Sequence, residues 1–184
     1  RKRVCVLFAD VANFTPFAER ASPEEVVRFL NELFSILIEV VFRHGGLVDK
    51  FMGDCVMAIF GFEADDPHPG AAAIAAAEDM HRFVEAESSD WRKRFGVEVK
   101  LGIGIAIGEA VVGNLGSDER MEFTAVGDIV NVASRLEALA RPGQTLVTKE
   151  VTEDAPSGGP FSSLGEHPLR GKREPVDLFE VAQA

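Results

Sequence analysis

Two aspartates occupy positions from which they could hold a metal ion. Asp10 ends a hydrophobic run that is typical of a strand, and Asp54 lies at the tip between two further hydrophobic runs. If the first strand lies beside that hairpin, both carboxylates converge at one end of a sheet, where such oxygen donors bind Mg²⁺ or Mn²⁺ and, through the ion, phosphate groups. The spacing equally allows Asp10 to cap the following turn and Asp54 to be an ordinary turn residue.

Asn131 and Arg135 form a second polar pair. They are four residues apart on a predicted helix and so share one face, while Val130, Val132 and Leu136 can serve the core. Arginine suits an anionic transition state because its charge is permanent and its donors are forked. Taken alone, the pair is more typical of a solvated helix face.

Hydrophobic periodicity marks the elements that must position these residues. A buried strand is predicted over Arg3 to Val11. The segment Ser22 to Glu25 starts a helix, with Ser as N-cap, Pro at the first helical position and Glu three residues after the cap. Leu47 to Phe51 and Cys55 to Phe60 are predicted strands, joined by the turn that carries Asp54.

The rest of the chain continues the mixture of helices and strands. An alanine-rich helix is predicted to reach about Ala86, a second helix is predicted from Asp128 to Ala140, and the stretch from Asp154 to Pro160 is predicted to be irregular. The remaining predicted strands are Val97 to Ala106, Glu109 to Asn114, Glu122 to Ala125, Thr145 to Thr148 and Val176 to Val181.

This order of elements suits an α+β fold with a ferredoxin-like, split βαβ or palm-like core. We expect a mainly antiparallel sheet with helices on one face and extra strands at the C-terminal end. No internal repeat or linker interrupts residues 1–184, so one domain is predicted. The chain opens without Met, and we expect it to be cut from a longer, multidomain protein.

Composition and charge exclude several classes of protein. The chain has 184 residues, with 19 Lys and Arg against 30 Asp and Glu, a net charge of −11 that argues against a general nucleic-acid or membrane-surface binder. No apolar run approaches the ~20 residues that a membrane-spanning helix needs. Cys5 and Cys55 lie in apolar runs, which favours free thiols in a reducing compartment and therefore a cytoplasmic location.

Four segments resemble the class III adenylyl/guanylyl cyclase catalytic domain, and they stand in the order that the family has. They are Phe8 to Thr15, similar to the first metal motif; Asp49 to Phe60, similar to the second; Gly127 to Glu137, similar to the helix with the transition-state residues; and Leu169 to Lys172 with Glu174 to Val176, similar to the phosphate-binding segment. Any one of these segments would be a weak signal. Four in order, over nearly the whole chain, are specific.

The resemblance assigns metal and base recognition to particular residues. It implies that Asp10 and Asp54 bind two divalent ions, Mg²⁺ or Mn²⁺, with the Val11 carbonyl as an extra ligand. Lys50 and Thr124 fall on the two purine-recognising positions. Lysine is the adenine-type residue because an ammonium donates to N1 of adenine, whereas N1 of guanine bears a proton, and threonine accepts from the exocyclic amine. Guanylyl cyclases typically have Glu and Cys there, so ATP is the expected substrate.

The resemblance also implies the chemistry. Asn131 would orient the ribose, Arg135 would neutralise charge on the α-phosphate, and Lys172 would hold the terminal phosphates with help from Arg120. The 3′-hydroxyl of ATP would attack the α-phosphorus of the same molecule by a two-metal mechanism, giving cyclic AMP and pyrophosphate. Positioning and charge stabilisation would supply most of the rate. The expected enzyme is an adenylate cyclase.

Spacing and the resemblance together predict a homodimer. Lys50 and Asp54 are roughly 13 Å apart along an extended strand, so one chain need not place both on the same nucleotide. Family members build each site between two subunits, with the metal carboxylates from one and the equivalents of Lys50, Thr124, Asn131 and Arg135 from the other. This chain carries both halves, so two equivalent sites are expected. Regulatory domains of the parent protein are further expected partners; nucleic acid and direct membrane contact are not.

Two positions depart from the family pattern. Asn13 stands where Gly or Arg is frequent and has no assigned role. Thr124 stands where many members carry Asp. A threonine at this position resembles a subgroup whose members are often stimulated by bicarbonate, which makes bicarbonate a candidate activator.

Two other functions are alternatives to this assignment. A diguanylate cyclase would need a Gly-Gly-Asp/Glu-Glu-Phe hairpin, unlike Phe51 to Cys55. The second alternative is a catalytically silent module that acts in dimerisation or nucleotide sensing. Such modules usually lack a metal aspartate, the asparagine or the arginine, whereas this chain has Asp10, Asp54, Asn131 and Arg135.

Overall fold

The computed structural model describes residues 1–63 and 66–182, and for residues 120–122 it describes the backbone alone. Eight strands form one sheet in the order β2-β3-β1-β4-β6-β8-β7, with β5 paired to β4. They are β1 (Lys2–Val11), β2 (Leu47–Met52), β3 (Cys55–Phe60), β4 (Leu101–Ser117), β5 (Arg120–Val126), β6 (Thr145–Thr148), β7 (Phe161–His167) and β8 (Val176–Val181). Only β4 and β6 pair in parallel among these strands. The predicted α+β fold with a mainly antiparallel sheet is confirmed.

Five α-helices accompany the sheet in the described residues. They are α1 (Phe14–Arg20), α2 (Pro23–Arg43), α3 (Pro69–Phe95), α4 (Asp128–Leu139) and α5 (Lys149–Asp154). The predicted cap of α2 is confirmed, since the Ser22 hydroxyl accepts from the Glu25 N–H at 3.2 Å. Gly96, with φ of 64°, ends α3 in the left-handed conformation.

The two faces of the sheet bury different side chains. In β1, Cys5, Leu7 and Ala9 face a large apolar core that also contains the buried residues of α2 and α3. The alternating positions Val4, Val6 and Phe8 face a second core that contains buried residues of α4. This alternation follows from the two-residue period of a strand. Asp10 continues the second set and so lies on the α4 face.

Strand β4 shows the same division by residue size. Its residues toward α2 and α3 are Leu101, Ile103, Ile105 and Ile107, whereas its residues toward α4 are Gly102, Gly104, Ala106, Gly108 and Ala110. Small residues let the α4 backbone approach closely. A Cβ atom at Gly104 would lie 2.3 Å from the Glu137 backbone nitrogen and 2.4 Å from the Ala133 carbonyl oxygen. Gly104 therefore permits an approach of α4 that any larger residue would prevent.

Several elements differ from the sequence predictions. Helix α4 packs on the face opposite α2 and α3, so the helices are not all on one face. The two strands predicted over Val97 to Ala106 and Glu109 to Asn114 are one strand, because Gly108 is a contact point for Ile129 of α4 rather than a turn. Helix α3 continues past Ala86 to bury Trp91 and Phe95.

The other differences are short or exposed elements. Helix α1 was not predicted, and α5 together with a short 3₁₀ helix (Pro156–Gly158) orders part of the stretch expected to be irregular. Strand β7 was missed because its sequence is polar and mostly exposed, so it lacks a hydrophobic alternation. In the part of the chain that the structure describes, no helix combines the length and the apolar character that crossing a membrane requires.

Candidate active site

Asp10 and Asp54 lie together, as the metal hypothesis requires. Strand β1 pairs antiparallel with β3, which follows the turn that carries Asp54. Gly53, with φ of 61°, allows this tight connection between Met52 and Cys55. The backbone N–H of Val11, the residue after Asp10, donates to Asp54 Oδ2 at 3.1 Å. This hydrogen bond holds the Asp54 carboxylate at the end of β1, where Asp10 lies.

The surroundings make this end of the sheet strongly acidic. Burial raises the pKa of the Asp54 carboxyl, and the negative charge of Asp10 raises it further, although backbone N–H groups, including that of Val11, favour its ionised form. Two half-buried carboxylates that repel each other are favourable partners for a cation. The arrangement therefore has the electrostatics of a cation-binding site.

Glu137 is a third acidic group that sequence reasoning did not single out. It lies on α4, is almost fully buried, and its carboxyl interacts with that of Asp10. Burial, a hydrogen bond to Asp10 and the charges of Asp10 and Asp54 all raise the pKa of the Glu137 carboxyl well above its ordinary value. The Glu137 carboxyl therefore favours its protonated form, which can donate a hydrogen bond to Asp10. Its Oε1 has no hydrogen-bond partner among the described residues.

The donor set fits a divalent ion that also binds substrate. Within residues 1–63 and 66–182, no group of three or more His, Cys, Asp or Glu side chains forms a preassembled metal cage. Mg²⁺ commonly uses one or two carboxylates and completes its shell with water and phosphate oxygens. Asp10 and Asp54 supply that minimal pair, and the buried carboxyl of Glu137 interacts with Asp10.

Lys50 and Thr124, predicted to recognise the purine, are brought together by Asp49. The Thr124 hydroxyl donates to Asp49 Oδ2 at 2.6 Å, and the Ala125 N–H donates to the same oxygen at 3.4 Å. Lys50 Nζ lies 3.8 Å from Asp49 Oδ1. The Asp49 side chain is 1% exposed, whereas that of Lys50 is 40% exposed and free to meet a ligand. Sequence reasoning placed Asp49 in a motif but gave it no role.

The predicted transition-state and phosphate residues lie along α4. Asn131 is exposed and Arg135 is half-buried on this helix, while Val132 and Leu136 face the core. A Cβ atom at Gly171 would lie 3.6 Å from the Arg135 guanidinium, so the segment before Lys172 passes directly beside Arg135.

Lys172 is anchored to the start of the same helix. Its Nζ donates to Asp128 Oδ2 at 2.7 Å, and both side chains are partly exposed. Its backbone N–H donates to the Leu169 carbonyl at 3.0 Å in a turn, and Leu169 is buried against the α4 core. The two cationic residues assigned to phosphate therefore lie on one wall of the site. The side chain of Arg120 lies outside the described part of the structure.

The candidate residues thus form two groups rather than one. Asp10 joins Asp54 at the end of β1, and Lys50 joins Thr124 through Asp49. In the described residues, no hydrogen bond or ion pair connects the first group to the second, or to the cations along α4. The four apolar side chains Val111, Leu115, Phe123 and Val126 of the β4–β5 hairpin are exposed, as are Phe51 and Met52 near the turn before Asp54.

Comparison with solved structures shows which class of protein has this fold. The mixed sheet and helices match solved cyclase domains. Adenylyl cyclase CyaB from P. aeruginosa has a TM-score of 0.95 and 29% identity, covering 100% of this chain and 95% of that chain. Guanylyl cyclase Cya2 has a TM-score of 0.91 and 31% identity, covering 100% of this chain and 93% of that chain.

Sequence comparison identifies the family. The family described as the adenylate and guanylate cyclase catalytic domain matches residues 1–181. Adenylate cyclase 1 of Rhizobium meliloti (strain 1021) is 36% identical over 183 residues, which are 98% of this chain and 28% of that protein. The chain therefore belongs to the adenylate and guanylate cyclase catalytic domain family. It spans less than a third of the length of this curated relative.

Proposed function

We propose that this chain is an adenylate cyclase, converting ATP to 3′,5′-cyclic AMP and pyrophosphate. Family membership alone does not select the base, since the similar solved structures include an adenylyl and a guanylyl cyclase. The observation that supports ATP is the pairing of Lys50 with Thr124 on one buried carboxylate. An ammonium donor beside a hydroxyl acceptor complements N1 and the exocyclic amine of adenine.

We assign the catalytic steps to the residues that surround this pair. Asp10, Asp54 and the Val11 carbonyl would hold two divalent ions, Mg²⁺ or Mn²⁺, which would lower the pKa of the ribose 3′-hydroxyl and neutralise phosphate charge. Asn131 orients the ribose. The new bond joins O3′ to the α-phosphorus as the bond from that phosphorus to the pyrophosphate oxygen breaks, and the hydroxyl proton passes to water.

The cations along α4 stabilise the charge that this displacement creates. Arg135 offers a permanent, forked donor to the α-phosphate oxygens. Lys172 would leave its ion pair with Asp128 to bind the terminal phosphates. Breaking this pair costs little free energy because both side chains are partly exposed. Arg120 is assigned an assisting role on resemblance alone.

We propose that two protomers share each site. Within the described residues, no hydrogen bond or ion pair links Asp10 and Asp54 to Lys50 and Thr124. Exposed apolar side chains of the β4–β5 hairpin, together with Phe51 and Met52, supply surface for a partner. In the homodimer, Asp10 and Asp54 of one protomer would face Lys50 of the other. Two equivalent sites follow from a two-fold axis.

We also propose that the chain is the catalytic domain of a longer cytoplasmic enzyme. The relative from Rhizobium meliloti is more than three times as long as the region matched, which supports regulatory domains in the parent protein. Cys5 is buried and Cys55 half-buried, and neither forms a disulfide, which supports a reducing compartment. Bicarbonate is a candidate activator through the Thr124 subgroup, tested by adding it to the assay below.

The test is cyclic nucleotide production from ATP and from GTP, at high protein concentration, with Mn²⁺ and then Mg²⁺. We expect cyclic AMP from ATP, with specific activity rising as protein concentration rises. A preference for GTP would contradict the assignment of Lys50 and Thr124. No product from either nucleotide would favour a regulatory module.

Shared sites are tested by mixing two inactive variants. Asp54→Ala and Arg135→Ala proteins, each inactive alone, should together recover part of the wild-type activity, because a heterodimer rebuilds one intact site. The matched control mixes Asp54→Ala with Asp10→Ala, in which both lesions fall in the same half and no intact site forms. Equal activity of the two mixtures would count against sites shared between chains.

A further inference from the structure

The Asp49 side chain is buried where β2 contacts β5, beside the side chains proposed to recognise the purine. It lies at the irregularity in the β2–β3 register between Val48 and Lys50, where its own carboxylate is buried and the Lys50 side chain is 40% exposed. A buried carboxylate is costly unless it is hydrogen-bonded. Here Oδ2 accepts from the Thr124 hydroxyl and the Ala125 N–H, and Oδ1 forms an ion pair with the Lys50 ammonium at 3.8 Å.

The contact with Thr124 has a direction. A hydroxyl has one proton to donate and two lone pairs to accept, and a carboxylate can only accept. At 2.6 Å from Asp49 Oδ2, the Thr124 proton is committed to Asp49. The Thr124 oxygen is then left as an acceptor toward anything that binds beside it.

This polarity distinguishes the two purines. Adenine presents a donor, the exocyclic amine, where guanine presents the acceptor O6, and the N1 positions are reversed in the same way. A threonine hydroxyl that could rotate would serve either base. A hydroxyl fixed as an acceptor matches adenine and leaves O6 of guanine facing a lone pair, a mismatch that buried sites reject strongly.

We infer that Asp49 is a specificity-determining residue that acts through Thr124 and Lys50: it fixes the threonine hydroxyl as an acceptor and holds the lysine ammonium beside it. Asp49 is a positioning residue, since it does not itself reach the base. The inference rests on the proposed function, in that it takes Lys50 and Thr124 as the residues that contact the purine.

The experiment measures base selectivity by binding, independently of turnover. The dissociation constants of 3′-deoxy-ATP and 3′-deoxy-GTP, which lack the attacking hydroxyl, are determined with Mn²⁺ on the dimeric protein. In Asp49→Ala, the Thr124 hydroxyl is free to donate, so selectivity for the adenine analogue should fall about tenfold. A selectivity within twofold of wild type would overturn the inference.

A double-mutant cycle tests whether Asp49 acts through Thr124. Thr124→Val removes the hydroxyl and should lower selectivity, whereas Thr124→Ser keeps it and should retain selectivity. Asp49→Ala added to Thr124→Val should lower selectivity little further, because the group through which Asp49 acts is already gone. Additive losses in selectivity would overturn the inference.

A matched control separates positioning from loss of stability. Asp154 is also a buried aspartate, hydrogen-bonded to the Gly70 N–H at 2.7 Å and to Arg3 at 3.0 Å; within the described residues it forms no hydrogen bond or ion pair with Asp49, Lys50 or Thr124. Asp154→Ala should lower the melting temperature and leave base selectivity unchanged. An equal loss of selectivity in this control would assign the effect of Asp49→Ala to destabilisation and overturn the inference.

The two proposals fail in different ways. A wild-type protein that makes no cyclic AMP, but whose analogue selectivity depends on Asp49, would refute the proposed function and leave this inference standing. A protein that makes cyclic AMP, but whose base selectivity does not depend on Asp49, would support the proposed function and refute this inference. A wild-type protein that binds the guanine analogue more tightly would refute both.

Discussion

The two faces of the sheet are built for different purposes. Toward α2 and α3, aromatic rings pack edge to face, with Phe29 centred 5.4 Å from Phe17, 5.3 Å from Trp91 and 6.1 Å from Phe95. Toward α4 and β5, the sheet buries Asp49, Glu137 and Thr124 beside apolar residues and leaves half-buried aspartates at its end. The first face is closed, and the second is polar and partly open.

The difference shows where the chain accepts an energetic cost. Aromatic burial on the α2–α3 face contributes free energy of folding directly. Acidic groups on the α4 face oppose folding unless they are bonded or protonated, and burial and mutual repulsion raise the pKa of both Asp54 and Glu137. Residues that cost stability in the absence of a ligand are candidates for ligand binding. The α4 face is therefore where variants should separate activity from stability.

The largest expected effect is on activity. Asp54→Ala should lower cyclic AMP production about a thousandfold, since it removes a charge assigned to the metal ions. Its melting temperature in EDTA should not fall, because the substitution relieves the repulsion with Asp10. Glu166→Ala, an exposed carboxylate on β7, is the control and should keep full activity. Turnover of Asp54→Ala within tenfold of wild type would refute the metal assignment.

The second largest expected effect is on stability, and its measurement tests how closely α4 approaches the sheet. Gly104→Ala places a methyl group within 2.4 Å of the α4 backbone and should lower the free energy of unfolding by about 2–3 kcal/mol. Gly113→Ala, on the same strand, meets no atom within 4 Å and should change it by less than about 0.5 kcal/mol. Urea denaturation measures both. Equal effects of the two substitutions would mean that α4 does not pack against Gly104.

The closed face should respond in stability alone. Phe29→Leu keeps an apolar side chain but breaks the edge-to-face contacts, and should cost about 1–2 kcal/mol of unfolding free energy. Below the melting transition, kcat for ATP should stay within twofold of wild type, because the Phe29 ring packs on Phe17, Trp91 and Phe95, to which no site role is assigned. A kcat that fell in proportion to stability would erase the distinction between the faces.

The smallest effect concerns Glu137 and pH. Because its folded pKa is raised, the folded protein binds more protons than the unfolded chain, so stability in EDTA is fully present below the ordinary carboxyl pKa and declines as pH rises above it. Glu137→Gln should change stability by less than about 1 kcal/mol at pH 5, since the wild-type group is already neutral there. The variant should also show a flatter decline up to pH 8. An unchanged slope would contradict a protonated Glu137.

Local patterns were enough to predict much of the scaffold. The α2 cap at Ser22, the turn at Gly53 and the strands around Asp54 depend on residues close in sequence, and all three are as predicted. Prediction failed where the signal was weak or was replaced by a distant contact. Polar β7 has no hydrophobic alternation, and Gly108 resembles a turn residue until Ile129 of α4 is seen against it.

The sequence by itself determined the elements, the sheet-forming strands and the types of residue able to bind metal, base and phosphate, because short-range periodicity and the order of motifs carry that information. Only the tertiary structure decided which face α4 covers, that Glu137 meets Asp10, and that Asp49 links Lys50 to Thr124. Asp49 and Thr124 are 75 residues apart, and their contact depends on how β5 lies against β2. Such contacts arise from packing of the whole chain, which no local pattern records.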